Sequence, residues 1–400
     1  MRAIQAALPL QKANDLNNLK DATPADFQQV LEIVDHQSLS QSLNQLADLF
    51  RQKKLFAQWF ETLKMIARQE LGLSPLKNPR TEERLDLTTE MQLENRLLDA
   101  CCEVGLVLWQ EGHWEQGWSF LQPVANRRPV VESLRQIEVD SENVDFVIHV
   151  ALAEGVDPVS GYRRLLEKYG TCDGITTYDT QAARFDHGVQ AEMASLLLNR
   201  LYQELCQNIQ AVAPQGLPSL LEQWESSGEC GLFIDATHLA SVVRIARLCQ
   251  QPSDWQHALL LCRYGLLLPS DLQYPSPPPF ENTFEDHQFF FQALLGTEVD
   301  LAIRRMTEKC QRGYPDENQQ QVADEILIDF LVRLDRREAA IEVFAQQILG
   351  QRIPLGIAPA INELAQTRDE LIKLRDCFRQ RDDLLGFAIC QLLQNETEEA

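Results

Sequence analysis

Three short phrases set an acid and a histidine at the head of an apolar run. They are Asp186–His187 before GVQAEMASLLL, Asp235-Ala-Thr-His238 before LASVVRIARL, and Glu285–Asp286–His287 before QFFFQALLG. The histidines stand 51 and 49 residues apart, close to the length of one large helical-hairpin repeat. An imidazole in the first turn of a helix meets the positive end of the helix dipole, which favours its neutral form. Neutral imidazole is a metal ligand or a general base. A neighbouring carboxylate can accept from the second ring nitrogen and fix the tautomer. His187, His238 and His287 are therefore candidate ligands for a divalent metal, with Asp186, Asp235 and Asp286 beside them. Helical steps from them reach Ala191 and Ala194, Val242 and Ile245, and Phe291 and Leu294. Each imidazole would then head a buried stripe, and the three could line one wall. The competing reading is structural: Asp is a preferred N-cap, and a His behind it packs against a neighbouring loop.

The stretch YGTCDGITTYDTQAARFDHG, residues 169–188, lacks apolar periodicity and carries three Gly, four Thr and three Asp. It reads as a polar loop that roofs the histidine cleft. Its Cys172, Asp173, Tyr178, Asp179 and Arg184 join the candidate pocket, since functional groups concentrate on loops held by rigid elements. Tyr169, Ile175, Tyr178 and Phe185 are the apolar anchors that would keep such a loop ordered.

Composition narrows the function classes. A net charge of −23 with no basic run longer than a pair disfavours binding to nucleic acid. No segment approaches the roughly 20 apolar residues that span a bilayer. The opening MRAIQAALPLQK is too short and too interrupted for a secretory signal. Ten scattered cysteines without a C-x-x-C point to reduced thiols and a cytoplasmic protein. HVALAEG at 149–155 is not H-E-x-x-H, and the glycine-rich phosphate-binding and nucleophile-elbow motifs are missing.

The elements that must position these residues are helices. Apolar residues recur at spacings of three and four along most of the chain. Elbows interrupt them near Lys53–Lys54, Gly112, Asp335–Arg337 and Arg381–Asp383. VGLVLWQEGHWEQGWSFL and LVRLDRREAAIEVF resemble tetratricopeptide-type repeats. Gly105, Leu108, Gly112, Gly117 and Leu121 follow that family's small–large–small–small–large series, and Ala340 and Phe344 its second half. The chain as a whole also resembles bacterial proteins without an assigned activity. The family resemblance implies stacked antiparallel helical hairpins, an all-α solenoid or curved array. Prolines divide the chain into an N-terminal helical region to 82, a central region over 83–268 that holds the 169–188 loop, a Pro-rich connector over 269–283, and a C-terminal region over 284–400. Two functions follow. One is an interaction scaffold that binds a protein partner along a groove. The other is an enzyme, a hydrolase or oxidoreductase, with a metal site built from the Asp/His helix starts.

Overall fold

The computed structural model describes residues 23–35, 37–76, 85–228, 230–347, 357–380 and 382–399. The opening segment read for a signal, the boundary set at 82 and Arg381 lie outside them. The protein is all-α: the described residues form nineteen α-helices and no strand. None of these helices is long and apolar enough to cross a membrane. Contacts divide the chain into two compact units, one ending at Arg164 and one starting at Leu165.

The first unit holds α1 (Pro24–Val34), α2 (Leu39–Gln52), α3 (Phe56–Glu70), α4 (Leu87–Gln110), α5 (Trp114–Leu121), α6 (Arg128–Gln136) and α7 (Val144–Ile148), which continues into one π-helical turn, His149–Ala153. Neighbours in sequence are neighbours in space, with α1 on α2, α2 on α3, α3 on α4 and α4 on α5. Trp59, Cys101, Val104 and Leu108 form one core cluster with Phe56 and Phe120. Trp109 and Trp118, stacked 6.2 Å apart, anchor a second. The α4–α5 approach depends on two glycines. A Cβ on Gly117 would stand 2.3 Å from Cδ1 of Trp109, and one on Gly105 would stand 2.6 Å from Cγ of Leu121. The helices could not close to this distance with larger residues there.

Helix α8 (Pro158–Gln181) runs across the division. The second unit continues with α9 (His187–Ile209), α10 (Leu217–Ser227), α11 (Ala236–Ala246), α12 (Pro252–Leu267), α13 (Thr283–Leu294), α14 (Val299–Arg312), α15 (Glu317–Arg333), α16 (Arg337–Gln347), α17 (Ile357–Leu364), α18 (Arg368–Arg379) and α19 (Leu384–Glu399). Here α11 packs on α9, α12 and α13, and the chain proceeds as pairs: α12 on α13, α15 on α16, α18 on α19.

The elbows read from the sequence share one backbone solution. Lys54, Gly112, Asp335 and Asp382 all take positive φ, at 58°, 83°, 58° and 57°. The next residue then returns its N–H to a carbonyl five back. Leu55 bonds to Phe50 (2.8 Å), His113 to Leu108 (2.9 Å), Arg336 to Leu331 (2.8 Å) and Asp383 to Phe378 (3.0 Å). This left-handed cap satisfies carbonyls that the helix end would leave bare. Gly296, at φ 83°, and Thr297 repeat it between α13 and α14.

Two expectations need correction. Residues 169–188 are not a loop. Helix α8 continues through them to Gln181, broken only at Gly170 (φ 81°, ψ −166°), and a short 3₁₀ turn, Ala182–Arg184, leads into α9. Thr and Asp weaken a helix by only a few tenths of a kcal/mol each, and packing overrides that. Thr176 and Thr180 return their hydroxyls to the carbonyls of Cys172 (3.2 Å) and Thr176 (2.8 Å). Thr171 bonds to Glu204 (2.9 Å), and buried Tyr178 donates to the Gln190 carbonyl (3.1 Å). The Pro-rich connector, by contrast, holds only a 3₁₀ turn at Ser270–Leu272 before Thr283 opens α13. It is nevertheless a folded hairpin. Ser276 meets Thr283 at 2.8 Å, Thr283 donates to the Tyr274 carbonyl at 2.6 Å, and Phe280 is driven into the core.

Candidate functional site

The three helix-start histidines occupy three different registers. His187 is the first residue of α9, His238 the third of α11 and His287 the fifth of α13. Each two-residue step turns the side chain by about 200°, so similar phrases do not present similar faces. His187 is exposed, His238 half-buried and His287 buried. Among the described residues no group of three or more His, Cys, Asp or Glu could hold a metal ion. The common metal site that the spacing suggested is therefore not assembled.

The acids beside them serve the backbone. Asp186 caps α9 by accepting from Val189 N (2.9 Å). Asp235 caps α11 through Thr237 N (2.8 Å) and His238 N (3.1 Å), and the bond to the Thr237 hydroxyl holds its carboxyl below the usual range. On α13 the cap is Asn282 instead. Asp286 lies inside the helix, where it accepts from Asn282 N (2.8 Å) and from Lys309 Nζ (2.6 Å). Of the pocket residues assigned to 169–188, Cys172, Asp173, Asp179 and Arg184 are exposed and only Tyr178 turns inward.

His287 is a core histidine. Its ring stacks on Phe280, centroids 3.9 Å apart, and Nδ1–H donates to the Thr283 carbonyl at 2.6 Å. Nε2 is buried without a hydrogen-bond partner. Burial pushes its pKa down to about 3, helped by the nearby guanidinium groups of Arg247 and Arg244. Beside it a shallow cleft is lined by Pro279, Asp286, Phe289, Arg305, Met306 and Lys309. Both cations there are already taken, Arg305 by Glu285 (2.7 Å) and Lys309 by Asp286.

A different set of polar residues does converge, where α11 ends and α12 begins. Arg333 of α15 crosses this junction and donates to the carbonyls of Arg247 (2.6 Å) and Cys249 (2.7 Å). Trp255 Nε1 donates to the same Cys249 carbonyl (2.8 Å), and its ring carries the Arg333 guanidinium at 5.4 Å. Behind them Asn199 bridges Asp254 and His257. Its amide donates to Asp254 Oδ1 (2.9 Å) and its carbonyl accepts from His257 Nδ1 (2.7 Å). Tyr202 stacks on the His257 ring at 3.9 Å, and burial lowers that histidine's pKa. Asp254 Oδ2 is buried and bare.

In front of the junction stand Arg244 and Arg247. Arg244 donates to Ser241 Oγ (2.9 Å), and neither guanidinium lies within 4 Å of a carboxylate of the described residues. Arg247 is desolvated, which lowers its pKa; Asp329 and Tyr178 favour its charge through space and Arg244 opposes it. The neighbouring Tyr178 hydroxyl and Cys249 thiol are pushed up by burial.

No family model, no curated protein and no solved structure matches the chain.

The junction residues escaped the sequence reading. Asn199, Arg244, Arg247, Asp254, His257 and Arg333 sit on four helices and form no motif. One signal was present: two arginines three apart inside the apolar run LASVVRIARL of an acidic chain.

Proposed function

We propose that the chain is a helical-repeat interaction protein of tetratricopeptide type, whose hairpins stack within each unit and present helix faces to a polypeptide partner. The observation that carries this reading is α1. Phe27, Leu31 and Val34 follow one another at helical spacing and are 64%, 52% and 49% exposed. No residue of α1 is buried. An apolar row left uncovered by described residues is the surface a partner helix fits. Exposed Glu32 and Asp35 flank it, so the partner chemistry is an amphipathic helix with Lys or Arg beside its apolar row. The shared left-handed elbows and the small residues at Gly105, Gly117 and Ala340 support the tetratricopeptide-like reading.

The test is fluorescence anisotropy with a labelled synthetic amphipathic helix, Leu/Ile on one face and Lys on its flanks, against the full chain. Saturable binding that weakens at least about tenfold in Leu31→Glu is expected, the scale of an interface anchor. A control peptide with Glu flanks should bind more weakly. Equal binding of both peptides, or an unchanged Leu31→Glu protein, would refute the reading.

A further inference from the structure

We propose that Arg244 and Arg247, at the C-terminal end of α11, form a binding site for a phosphate-type oxyanion, taken as inorganic phosphate or as a phosphate monoester. Arg244 lies in the last turn of α11 and Arg247, three residues on, is its C-cap in the αR conformation. Neither is matched by a carboxylate within ion-pair distance among the described residues, although the chain carries 59 acids. Elsewhere in the second unit cations at comparable depth are neutralised: Lys309 by Asp286, Arg263 by Glu225, Arg305 by Glu285. Two adjacent like charges repel, and a partly buried charge without a partner costs stability. A dianion with three or more acceptor oxygens removes both costs at once, because each guanidinium offers a planar fork of donors.

The surroundings fit an oxyanion rather than a structural role for Arg247. The carbonyls a helix-end arginine would neutralise, those of Arg247 and Cys249, already accept from Arg333. That third guanidinium is held by its two carbonyls and by the Trp255 ring beneath it. Its carboxylate neighbour Asp329 is 3.6 Å away and largely exposed. Ser241, bonded to Arg244, adds a hydroxyl, and Tyr178 is near enough to Arg247 to favour its charge. Inorganic phosphate and a monoester share this chemistry.

The experiment is isothermal titration of the full chain with inorganic phosphate, phenyl phosphate and acetate at constant ionic strength, using wild type, Arg247→Gln and Arg244→Gln. Saturable binding of both phosphates, weakened at least about tenfold by either substitution, is expected, with acetate much weaker. Phenyl phosphate binding more tightly than phosphate would identify the ester as the better ligand, and the reverse would identify the free ion; both outcomes support the site. A signal from acetate equal to that from phosphate would mean charge screening alone and overturn it. So would wild-type affinity in both variants, or the lack of saturable binding. A second readout is urea unfolding in phosphate-free buffer. Arg247→Gln should be as stable as wild type or more so, because the repulsion is gone. A clear loss of stability there would make Arg247 structural and overturn the proposal.

Discussion

The imidazole of His287 touches Phe280, Thr283 and Phe291, and the nearby charges of Arg244 and Arg247 oppose its protonation. Its pKa in the folded protein is about 3, against about 6.5 when unfolded. The unfolded chain therefore binds the extra proton first. The stability that comes from keeping His287 neutral is fully present above pH 6.5 and is lost as pH falls from 6.5 towards 3, at up to about 1.4 kcal/mol per pH unit. His287→Phe keeps the stack and removes the proton, so urea titrations at pH 7, 5.5 and 4.5 should show a flatter pH dependence in the variant. Identical slopes would mean that His287 is not the acid-sensitive group. Asp286 makes the complementary case. It is the partner of Lys309, whose side chain is only 12% exposed. Asp286→Ala removes the close, buried partner of that ammonium and leaves it the more distant and exposed Glu281, and should cost about 3 kcal/mol. A loss under 1 kcal/mol, measured by urea unfolding at pH 7, would show that Glu281, 3.5 Å from Lys309, suffices alone.

Elements are held by the elbows and by the closeness of the helices they join. Lys54 takes φ 58°, a conformation that costs a side chain about 1 kcal/mol and glycine almost nothing. Its exposed ion pair with Glu111 offsets little of that. Lys54→Gly should therefore stabilise the protein by a few tenths to 1 kcal/mol; a lower melting temperature would contradict the cap geometry. Gly117→Ala acts in the opposite sense. Its methyl group meets the Trp109 ring, and overpacking of this kind costs about 1–3 kcal/mol. The elbows were legible because their determinants are local: a charged or glycine residue where periodicity breaks, with bonds spanning five residues. The helix at 169–181 was not, since its polar composition argued for a loop. Thr171 reaching Glu204 and Tyr178 reaching Gln190 are contacts across 33 and 12 residues that no local reading contains.

At the scale of the molecule, the two units carry different reporters. Trp59, Trp109, Trp114 and Trp118 lie in the first, Trp224 and Trp255 in the second, while His287 is in the second. Unfolding followed by tryptophan fluorescence weights the first unit, and far-UV circular dichroism weights both by helix content. The two midpoints should separate as pH falls from 6.5 to 4, the signature of more than two states. Coincident midpoints throughout would mean that the units unfold as one. The all-α class, the positions of the elbows and the lack of α-helix among the clustered prolines were determined by the sequence alone. They depend on periodicity, on backbone conformations that few residues adopt, and on the missing N–H of proline. The candidate site was decided only by tertiary structure. The acid–histidine phrases are alike along the chain but fall at the first, third and fifth positions of their helices, and end exposed, half-buried and buried. Arg333 and Arg247 are 86 residues apart and meet because α11 and α15 bring their ends to one junction. Charge left uncompensated at such a junction is a property of packing, since whether a guanidinium finds a carboxylate depends on which helices arrive beside it.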